Sequence, residues 1–497
     1  MGILRHETML SIPKQYLPIL QESAKVGLLL LLSIWLRLQF ITRDTFIDEA
    51  FSYFYSKKDI LFIISGNDTH PPLYYLLLKP FSHWLGNDII ALRMTSIAIW
   101  ILFAIALYSF VKQRFSRNTA LYALIFATLS PTLIYYSTEL RMYILLLFFL
   151  MLNLIAYFNL LDKPNAKTAT IYTATCLLML YTHLFAALPL LIEALWGLRR
   201  KSALKWLIFG LGASFILFLP QIYVTLHTYA THPIFHYKSP TIISLISTYS
   251  YMFTPPSYAI VFFALLIIFL VYFCTQYQIQ PEISKYSFFY AFLLLPIPIF
   301  ILAKWTGIYH HRLFLIMLPP IYIMLAHFAD RIMQKSGNNA DQTLFIGLFI
   351  LSVFITFSFA QSIFHYENHY NFKELQMTTE PIVHIYPMSY LAYKMHFENT
   401  QRSNLLLAEP DFTFCDSVID KNDLITDFPA KPYIIIDYTY QDGELRKPFL
   451  DTSNVLYRLA DSNWTLCYPN TSISMNVSDY IIINGQKVEV AGHVLIV

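Results

Sequence analysis

Long apolar runs recur along most of the chain and leave it few possible folds. Between positions 25 and 360 they extend for about 17–25 residues each, which is the length that a helix needs to cross a hydrocarbon core of about 30 Å. Inside lipid, each backbone N–H and C=O group must be bonded within the chain, so each run is predicted to be a helix. The sequence is 56% hydrophobic and only 13% charged, against roughly 25% charged in soluble domains. We therefore predict a polytopic α-helical membrane protein.

The bounds of these runs predict about eleven transmembrane helices. The predicted spans lie near 25–42, 89–111, 119–137, 142–161, 168–182, 184–198, 206–226, 258–274, 287–304, 313–329 and 343–360. The fifth and sixth runs are short and are also compatible with a hairpin that does not cross completely. Lys and Arg gather in alternate short loops, which are typically cytoplasmic. This bias predicts a multi-pass protein of the plasma or inner membrane, with a cytoplasmic N-terminus, an outward first loop at 43–88 and an extracytoplasmic C-terminus.

From about residue 361 the sequence changes character. Hydropathy falls, and short runs rich in β-branched residues at 381–386, 433–437 and 480–483 are typical of strands. We expect residues 1–360 to form the transmembrane domain and residues 361–497 a small extracytoplasmic α/β domain. Cys415 and Cys467 both lie in this tail, where an oxidising compartment allows a disulfide between them.

A polar stretch directly follows the first apolar run. It opens with Asp48 and Glu49 and ends with His70, two prolines and Tyr74. The position of the two adjacent carboxylates has an ordinary explanation, because they mark the point where a helix leaves the bilayer. An acidic residue costs little at the interface and about 2.5–3.5 kcal/mol at the membrane centre. A functional role is favoured because unusual polar residues recur at the same predicted face.

These recurring residues belong to different outward loops. They are Glu139 and Arg141 before the fourth span, His183 between the fifth and sixth, and Lys304, His311 and Arg312 between the ninth and tenth. Each also has a structural explanation, as a local ion pair, a turn residue or a cation that anchors a span at the headgroups. Those explanations do not account for the gathering of carboxylates, imidazoles and cations on one face, whereas the cytoplasmic loops are simply basic.

Such a set of side chains suits transfer chemistry on an anionic lipid at headgroup depth. Arg and Lys can hold a phosphate whose charge grows as it leaves. A carboxylate can accept the proton of an attacking hydroxyl, because a general base must be ionised at the working pH. Tyrosines such as Tyr74 can stack on a sugar ring, or belong to the interfacial aromatic belt. The net charge of +3 is too small to argue for nucleic acid.

The chain resembles the GT-C superfamily of polyprenyl-phosphate-dependent glycosyltransferases in four places. These are Asp48-Glu49 after the first span, His70-Pro71-Pro72-Leu73-Tyr74-Tyr75, Ala91-Leu92-Arg93 at the start of the second span, and Ser137-Thr138-Glu139-Leu140-Arg141-Met142-Tyr143 before the fourth. More narrowly, it looks like the family 39 type, which includes protein O-mannosyltransferases and relatives of the lipid A aminoarabinose transferase. In the aminoarabinose branch, Glu-Lys stands where this chain has Thr69-His70. That departure argues against the aminoarabinose substrate and against a metal site that needs this Glu.

The resemblance implies a role for most of the candidate residues. Asp48 is expected to be the catalytic base, Glu49 to shape the acceptor site, His70 to belong to a loop that closes over the donor, Arg141 and Arg312 to contact the carrier phosphate, and Glu139 to orient Arg141. Lys304 is expected to add to phosphate binding, and His183, His311 and Tyr74 to support the substrate. Family members are generally inverting and have no general metal requirement, so no cofactor is expected.

We therefore expect a membrane glycosyltransferase that moves a sugar from a polyprenyl-phosphate donor to a hydroxyl of a protein, lipid or cell-surface glycan. The alternative is a transporter or lipid flippase without covalent chemistry, which predicts charged residues near span centres and an inverted repeat. Arg37 lies within the first span and weakly favours that alternative, but the sequence contains no internal repeat.

Overall fold

The computed structural model describes residues 17–43, 45–65, 68, 70–231, 239–251, 283–306, 309–335 and 394–395, together with ten strands between residues 382 and 495. The predicted spans 258–274 and 343–360 lie outside the described residues. Cys415 also lies outside them, so its disulfide with Cys467 stays a prediction. Cys176 is a buried free cysteine.

The described part of the membrane region is almost entirely helical. Its helices are α1 (Leu17–Leu38), α2 (Ile47–Lys57), α3 (Ile60–Ser65), α4 (Leu73–Trp84), α5 (Ile89–Arg114), α6 (Arg117–Leu129), α7 (Pro131–Tyr136), α8 (Tyr143–Asp162), α9 (Ala166–Thr182), α10 (Ala187–Gly197), α11 (Lys201–Thr231), α12 (Ile242–Tyr251), α13 (Ile283–Leu293), α14 (Pro296–Thr306) and α15 (Leu318–Lys335). Two 3₁₀ turns, Leu184–Ala186 and His311–Met317, lead into α10 and α15.

Within the described residues, five helical segments are long and apolar enough to cross a membrane. They are Ile89–Arg114, Tyr143–Asp162, Lys201–Thr228, Tyr286–Lys304 and His311–Lys335. Each coincides with one of the predicted spans, so the prediction of a polytopic helical membrane protein is confirmed. The total of eleven spans stays a prediction.

The run predicted as one third span, 119–137, is divided into two helices. Ser130 separates α6 from α7, and its hydroxyl caps α7 by accepting the Leu133 N–H at 3.1 Å. Pro131 then occupies the first turn of α7, where a helix does not need its backbone N–H. The prediction of a continuous helix here was wrong, because the cap and the proline start a new helix.

The core of the bundle is built around α5 and α8, which pack against each other. Helix α6 packs on α5 and α15, and α9 packs between α8 and α11. At one end, buried polar contacts join the helices: Asp330 of α15 accepts the hydroxyls of Ser116 at 2.6 Å and Thr119 at 2.7 Å. The other end of α5 and α8 is where the candidate residues gather.

The described strands of the tail form two sheets. The strands are β1 (Ile382–His384), β2 (Asn404–Leu407), β3 (Leu424–Ile425), β4 (Tyr433–Ile436), β5 (Val455–Leu459), β6 (Trp464–Cys467), β7 (Ile473–Met475), β8 (Tyr480–Ile483), β9 (Gln486–Glu489) and β10 (Val494–Leu495). The larger sheet has the order β10-β5-β6-β4-β1-β2-β3, with β1 to β4 parallel, and the smaller has the order β7-β8-β9.

One hydrogen bond connects the described part of the tail to the membrane region. The Asn87 side chain donates to the Met395 carbonyl at 3.3 Å. Asn87 belongs to the predicted outward loop, so this part of the tail lies on the same side as that loop. The extracytoplasmic location of both, and the separate fold of residues 361–497, remain predictions.

Candidate active site

The site is organised around the first turn of α2, which carries two adjacent carboxylates with different surroundings. Asp48 and Glu49 both lie where the helix dipole favours negative charge. Glu49 turns back and accepts the Phe46 N–H at 2.9 Å, which satisfies one of the donors that a helix start leaves unbonded. Asp48 instead faces cations from two distant segments. The two neighbours in sequence are therefore used in different ways.

Glu49 is held inside the protein by Arg93 of α5. Arg93 Nε and Nη2 donate to the two carboxylate oxygens at 2.8 and 2.6 Å, and both side chains are 0% exposed. The Leu140 N–H also donates to Glu49, at 2.9 Å. Burial alone would raise the pKa of Glu49, but the charge and hydrogen bonds of Arg93 outweigh it and lower the pKa. This geometry gives Glu49 a structural role, and its predicted role at the acceptor site stays a prediction.

Arg93 extends this contact to the chain that enters α2. Its Nη1 donates to the carbonyls of Ile41 at 2.8 Å and Arg43 at 2.7 Å. The Arg93 guanidinium thus connects α5 to the end of the first apolar run and to the start of α2. The bond from Leu140 to Glu49 connects the turn before α8 to the same group of residues. These contacts determine where Asp48 lies relative to Arg141.

Asp48 is shared by two arginines from separate segments. Arg312 Nη1 donates to Asp48 Oδ2 at 2.8 Å, and Arg141 Nη2 lies 3.9 Å from the same oxygen. Burial alone would raise the pKa of Asp48, but the charges of Arg141 and Arg312 outweigh it, so the pKa lies below its ordinary value. Asp48 is therefore ionised at neutral pH. The structure brings together the three residues that the sequence predicts as base and phosphate ligands.

Arg141 is almost fully buried, with only 4% of its side chain exposed. Its Nη1 donates to Ser52 Oγ at 3.1 Å and to the Asp48 carbonyl at 3.4 Å. Its Nε has no hydrogen-bond partner among the residues that the structure describes. A buried guanidinium with an unused donor is costly unless an anion binds beside it. Arg141 is thus suited to bind an anionic ligand.

Arg37 is hydrogen-bonded to the turn that carries Arg141. The Arg37 guanidinium lies 3.5 Å from the centre of the Trp100 ring and donates from Nε to Ser137 Oγ at 2.6 Å. In the same turn, Glu139 is buried and its carbonyl accepts the Ser96 hydroxyl at 2.8 Å. The fold therefore uses Arg37 to position this turn, while the orientation of Arg141 by Glu139 stays a prediction.

A second acidic residue, Asp68, lies close enough to Arg141 to be affected by its charge, and it contacts His70. His70 Nδ1 and Asp68 Oδ1 are 3.2 Å apart, and the Tyr75 hydroxyl donates to Asp68 Oδ2 at 2.5 Å. The His70 ring is in edge contact with His183, with 5.5 Å between the ring centres. Residues predicted from different loops, His70 and His183, therefore meet.

The remaining candidates surround this cluster. Tyr74 is buried with its ring 5.8 Å from Tyr75. The His311 ring lies against the ring of His310 at a tilt of 40°, with 4.1 Å between the ring centres. Lys304 is exposed, and its ammonium donates to the Pro240 carbonyl. The predicted role of Lys304 in phosphate binding stays a prediction.

No group of three or more His, Cys, Asp or Glu side chains that could hold a metal ion occurs within the described residues. The sequence predicts that no cofactor is required, and that expectation stays a prediction.

Comparison with known proteins gives a partial sequence match and a similar fold. Residues 69–224 match the sequence model of the family described as dolichyl-phosphate-mannose-protein mannosyltransferase. ArnT from Cupriavidus metallidurans bound to undecaprenyl phosphate has a similar fold, with a TM-score of 0.58 at 11% identity over 89% of this chain and 97% of that one. Its apo state has a TM-score of 0.59 at 11% identity, over 90% and 98%. About a third of the chain therefore resembles that mannosyltransferase family, and the chain as a whole shares the fold of ArnT. A search of curated proteins finds no match by sequence.

The partial family match and the shared fold agree with the predicted membrane glycosyltransferase. The structure shows which residues the sequence interpretation missed. Arg93 was noticed only as part of a motif, because an arginine at the start of a span resembles a headgroup anchor. Asp68 lies within the polar stretch and Tyr75 follows it directly, but the sequence pattern assigns neither of them a role. An acidic residue two positions from His70 was the available signal for that pair.

Proposed function

We propose that this chain is a GT-C glycosyltransferase, which transfers a sugar from a polyprenyl-phosphate donor to a hydroxyl acceptor at the extracytoplasmic face, with inversion and with Asp48 as general base. The observation that carries the proposal is the sharing of one carboxylate, Asp48, by Arg141 and Arg312. This transfer requires a general base and two phosphate-binding side chains close to one another. ArnT, whose fold the chain shares, was crystallised with undecaprenyl phosphate.

The charge balance of the cluster supports an anionic ligand. Two guanidinium groups face the single carboxylate of Asp48, and one of them is buried with an unused donor. A phosphate placed between Arg141 and Arg312 would accept bonds from both, in the planar geometry that arginine offers to phosphates. The same groups would then stabilise the charge that grows on the phosphate as it leaves.

The proposed reaction is a single displacement. The acceptor hydroxyl oxygen attacks the anomeric carbon from the side opposite the phosphate, and the new carbon–oxygen bond forms as the bond to the phosphate oxygen breaks. The electron pair of the broken bond stays on the carrier phosphate, beside Arg141 and Arg312. The hydroxyl proton goes to Asp48. Attack from the opposite side inverts the anomeric configuration.

Donor binding has a further consequence for the base. Arg312 donates to Asp48 at 2.8 Å, which makes the carboxylate a weaker proton acceptor. A donor phosphate that takes over the Arg312 bond would free the Asp48 oxygen for the acceptor hydroxyl. In this mechanism the carboxylate becomes an effective base only once the donor is bound.

Replacing Arg312 by glutamine should shift the acid limb of the pH–rate profile to higher pH. The two arginines lower the pKa of Asp48, so the removal of one lets that pKa rise towards its ordinary value. Asp48 then becomes protonated, and activity is lost, at a higher pH than in the wild type. The measurement is kcat/KM for the donor against pH, which reports groups of the free enzyme. An unchanged acid limb would argue against Asp48 as the titrating base.

The function itself is tested by mass spectrometry of polyprenyl-phosphate sugars in membranes from cells that lack the protein. We expect one sugar-phosphate lipid to accumulate, because its consumption is blocked, and to return to its normal level when the wild-type gene is restored. If the lipid profile stays unchanged while a transported solute or lipid changes sides, the transporter would replace the transferase as the best explanation.

A further inference from the structure

Basic side chains cover the end of the helix bundle opposite the candidate active site. Helix α8 begins beside that site and extends over 20 residues, about 30 Å, to Asp162. The basic side chains lie at and just after the two turns at this far end, α8–α9 and α10–α11. They are Lys163, Lys167, Arg199, Arg200, Lys201 and Lys205, and we call them the basic patch.

The basic patch has no acidic partner within the described residues. All of its side chains are exposed, and none of them makes an ion pair in that part of the chain. Asp162 is the acidic residue next to the first turn, and its carboxylate accepts a hydrogen bond from Arg114 Nη1 at 2.5 Å. The patch therefore presents a group of positive charges that the described side chains do not balance.

The two turns lie at the same end because the helices that follow them pack side by side. Helices α9 and α11 both begin there, and the Thr173 hydroxyl donates to the Gly210 carbonyl at 3.3 Å. Lys167 lies six positions before Thr173 in α9, and Lys205 lies five positions before Gly210 in α11. The two lysines are thus at similar heights along the bundle. The positive ends of two helix dipoles add to the charge.

The α10–α11 turn lies at the depth of the lipid headgroups. The chain enters α10 from His183, whose ring centre is 6.1 Å from that of Tyr143, the first residue of α8. The 3₁₀ turn of 3 residues and the 11 residues of α10 together span about 22 Å, against about 30 Å for a hydrocarbon core. A helix of this length that starts at one membrane boundary ends before it passes the other.

Two tryptophans beside the patch fit the same depth. The Arg199 guanidinium lies 4.6 Å from the centre of the Trp196 ring, and the Lys205 ammonium lies 5.4 Å from that of Trp206. Tryptophan is enriched where the hydrocarbon core meets the headgroups. A cation at this depth is stabilised by lipid phosphates that approach it. Arginine in addition offers two parallel donors to a phosphate.

We propose that the basic patch binds the headgroups of anionic phospholipids in the leaflet opposite the active site. The headgroup phosphate balances the charge of the patch. Leu195, Leu198 and Ile208 are exposed beside it and offer apolar contacts to the acyl chains, which a soluble anion could not use. Basic loops also orient a chain during insertion, but that role needs no lipid bound to the finished protein. The proposed site is independent of the transferase function.

Removal of charge from the α10–α11 turn tests this proposal. The neutral variant is Arg199→Gln/Arg200→Gln/Lys201→Gln/Lys205→Gln. The matched control, Arg199→Lys/Arg200→Lys/Lys201→Arg/Lys205→Arg, keeps every charge. The apparent dissociation constant is measured by native mass spectrometry of the purified full-length protein in detergent micelles. The probes are phosphatidylglycerol and phosphatidylcholine with identical acyl chains, and inorganic phosphate is added as a competitor.

We expect the wild type to bind phosphatidylglycerol at least about tenfold more tightly than phosphatidylcholine, because only phosphatidylglycerol has a net negative charge. This preference should shrink at high salt, which screens exposed charges. The neutral variant should lose most of the preference, and the charge-retaining control should keep it. Lys163→Gln/Lys167→Gln should lose part of it. Inorganic phosphate should not displace the lipid.

Equal binding of the two lipids by the wild type would overturn the proposal. An unchanged preference in a neutral variant that unfolds at the wild-type temperature would place the bound lipid elsewhere. If the neutral variant does not fold, Lys163→Gln/Lys167→Gln decides in its place, and an unchanged preference there contradicts the patch. Displacement of phosphatidylglycerol by inorganic phosphate would identify a site for soluble anions instead.

Discussion

Replacing Asp48 by asparagine should lower the rate of sugar transfer by about 10²–10⁴-fold, the usual contribution of general base catalysis. The amide has nearly the shape of the carboxylate but cannot take the proton of the acceptor hydroxyl. It also stays uncharged, so Arg312 loses the partner that it has at 2.8 Å in the wild type. We expect donor binding to persist, because a phosphate can use both arginines.

This prediction is measured as single-turnover transfer of a radiolabelled sugar from the donor that accumulates in cells lacking the protein. The matched control is Asp59→Asn, since Asp59 is an exposed aspartate of the same loop at the start of α3. Asp59→Asn should transfer the sugar at the wild-type rate. Thermal unfolding checks that both variants fold. Near-normal turnover in a well-folded Asp48→Asn would remove Asp48 from the role of base.

Replacing Arg93 by methionine should lower the free energy of unfolding by about 3–5 kcal/mol, the cost of leaving a buried charge without its partner. Glu49 and Arg93 are both 0% exposed, so water cannot replace the lost bonds at 2.8 and 2.6 Å. Arg93 also holds the carbonyls of Ile41 and Arg43, and their loss adds to the effect.

The double variant Glu49→Gln/Arg93→Met gives the decisive comparison, because it removes both buried charges. We expect it to unfold at a higher temperature than Arg93→Met alone. Arg114→Met is the control for an accessible pair, since its partner Asp162 is 54% exposed, and it should cost at most about 1 kcal/mol. Similar losses in Arg93→Met and Arg114→Met would contradict a special role for the buried pair.

The candidate residues differ in how far the sequence could predict them. Asp48, Arg141 and Arg312 were predicted because polar residues are conspicuous at the ends of apolar runs, and the structure brings them together. Their joint contact was not predictable, since Arg312 and Asp48 are 264 positions apart. Glu49 was predicted beside Asp48 in the site, whereas its side chain is directed to Arg93 in the core. Adjacent residues at the start of a helix direct their side chains differently. Their adjacency in the sequence therefore does not reveal which partner each side chain meets.

The sequence by itself determined that the chain is a bundle of membrane helices whose candidate site residues lie in loops on one predicted face. The physical reason is the free-energy cost of placing unbonded backbone groups and charged side chains in lipid. That cost is large enough to favour long apolar helical runs, which are visible in the sequence. Only the tertiary structure decided that Arg93 is a core residue, that Asp48 has two cations, and that the rings of His70 and His183 meet. Those outcomes depend on how helices pack and on which backbone groups each side chain then reaches, and no local pattern specifies either.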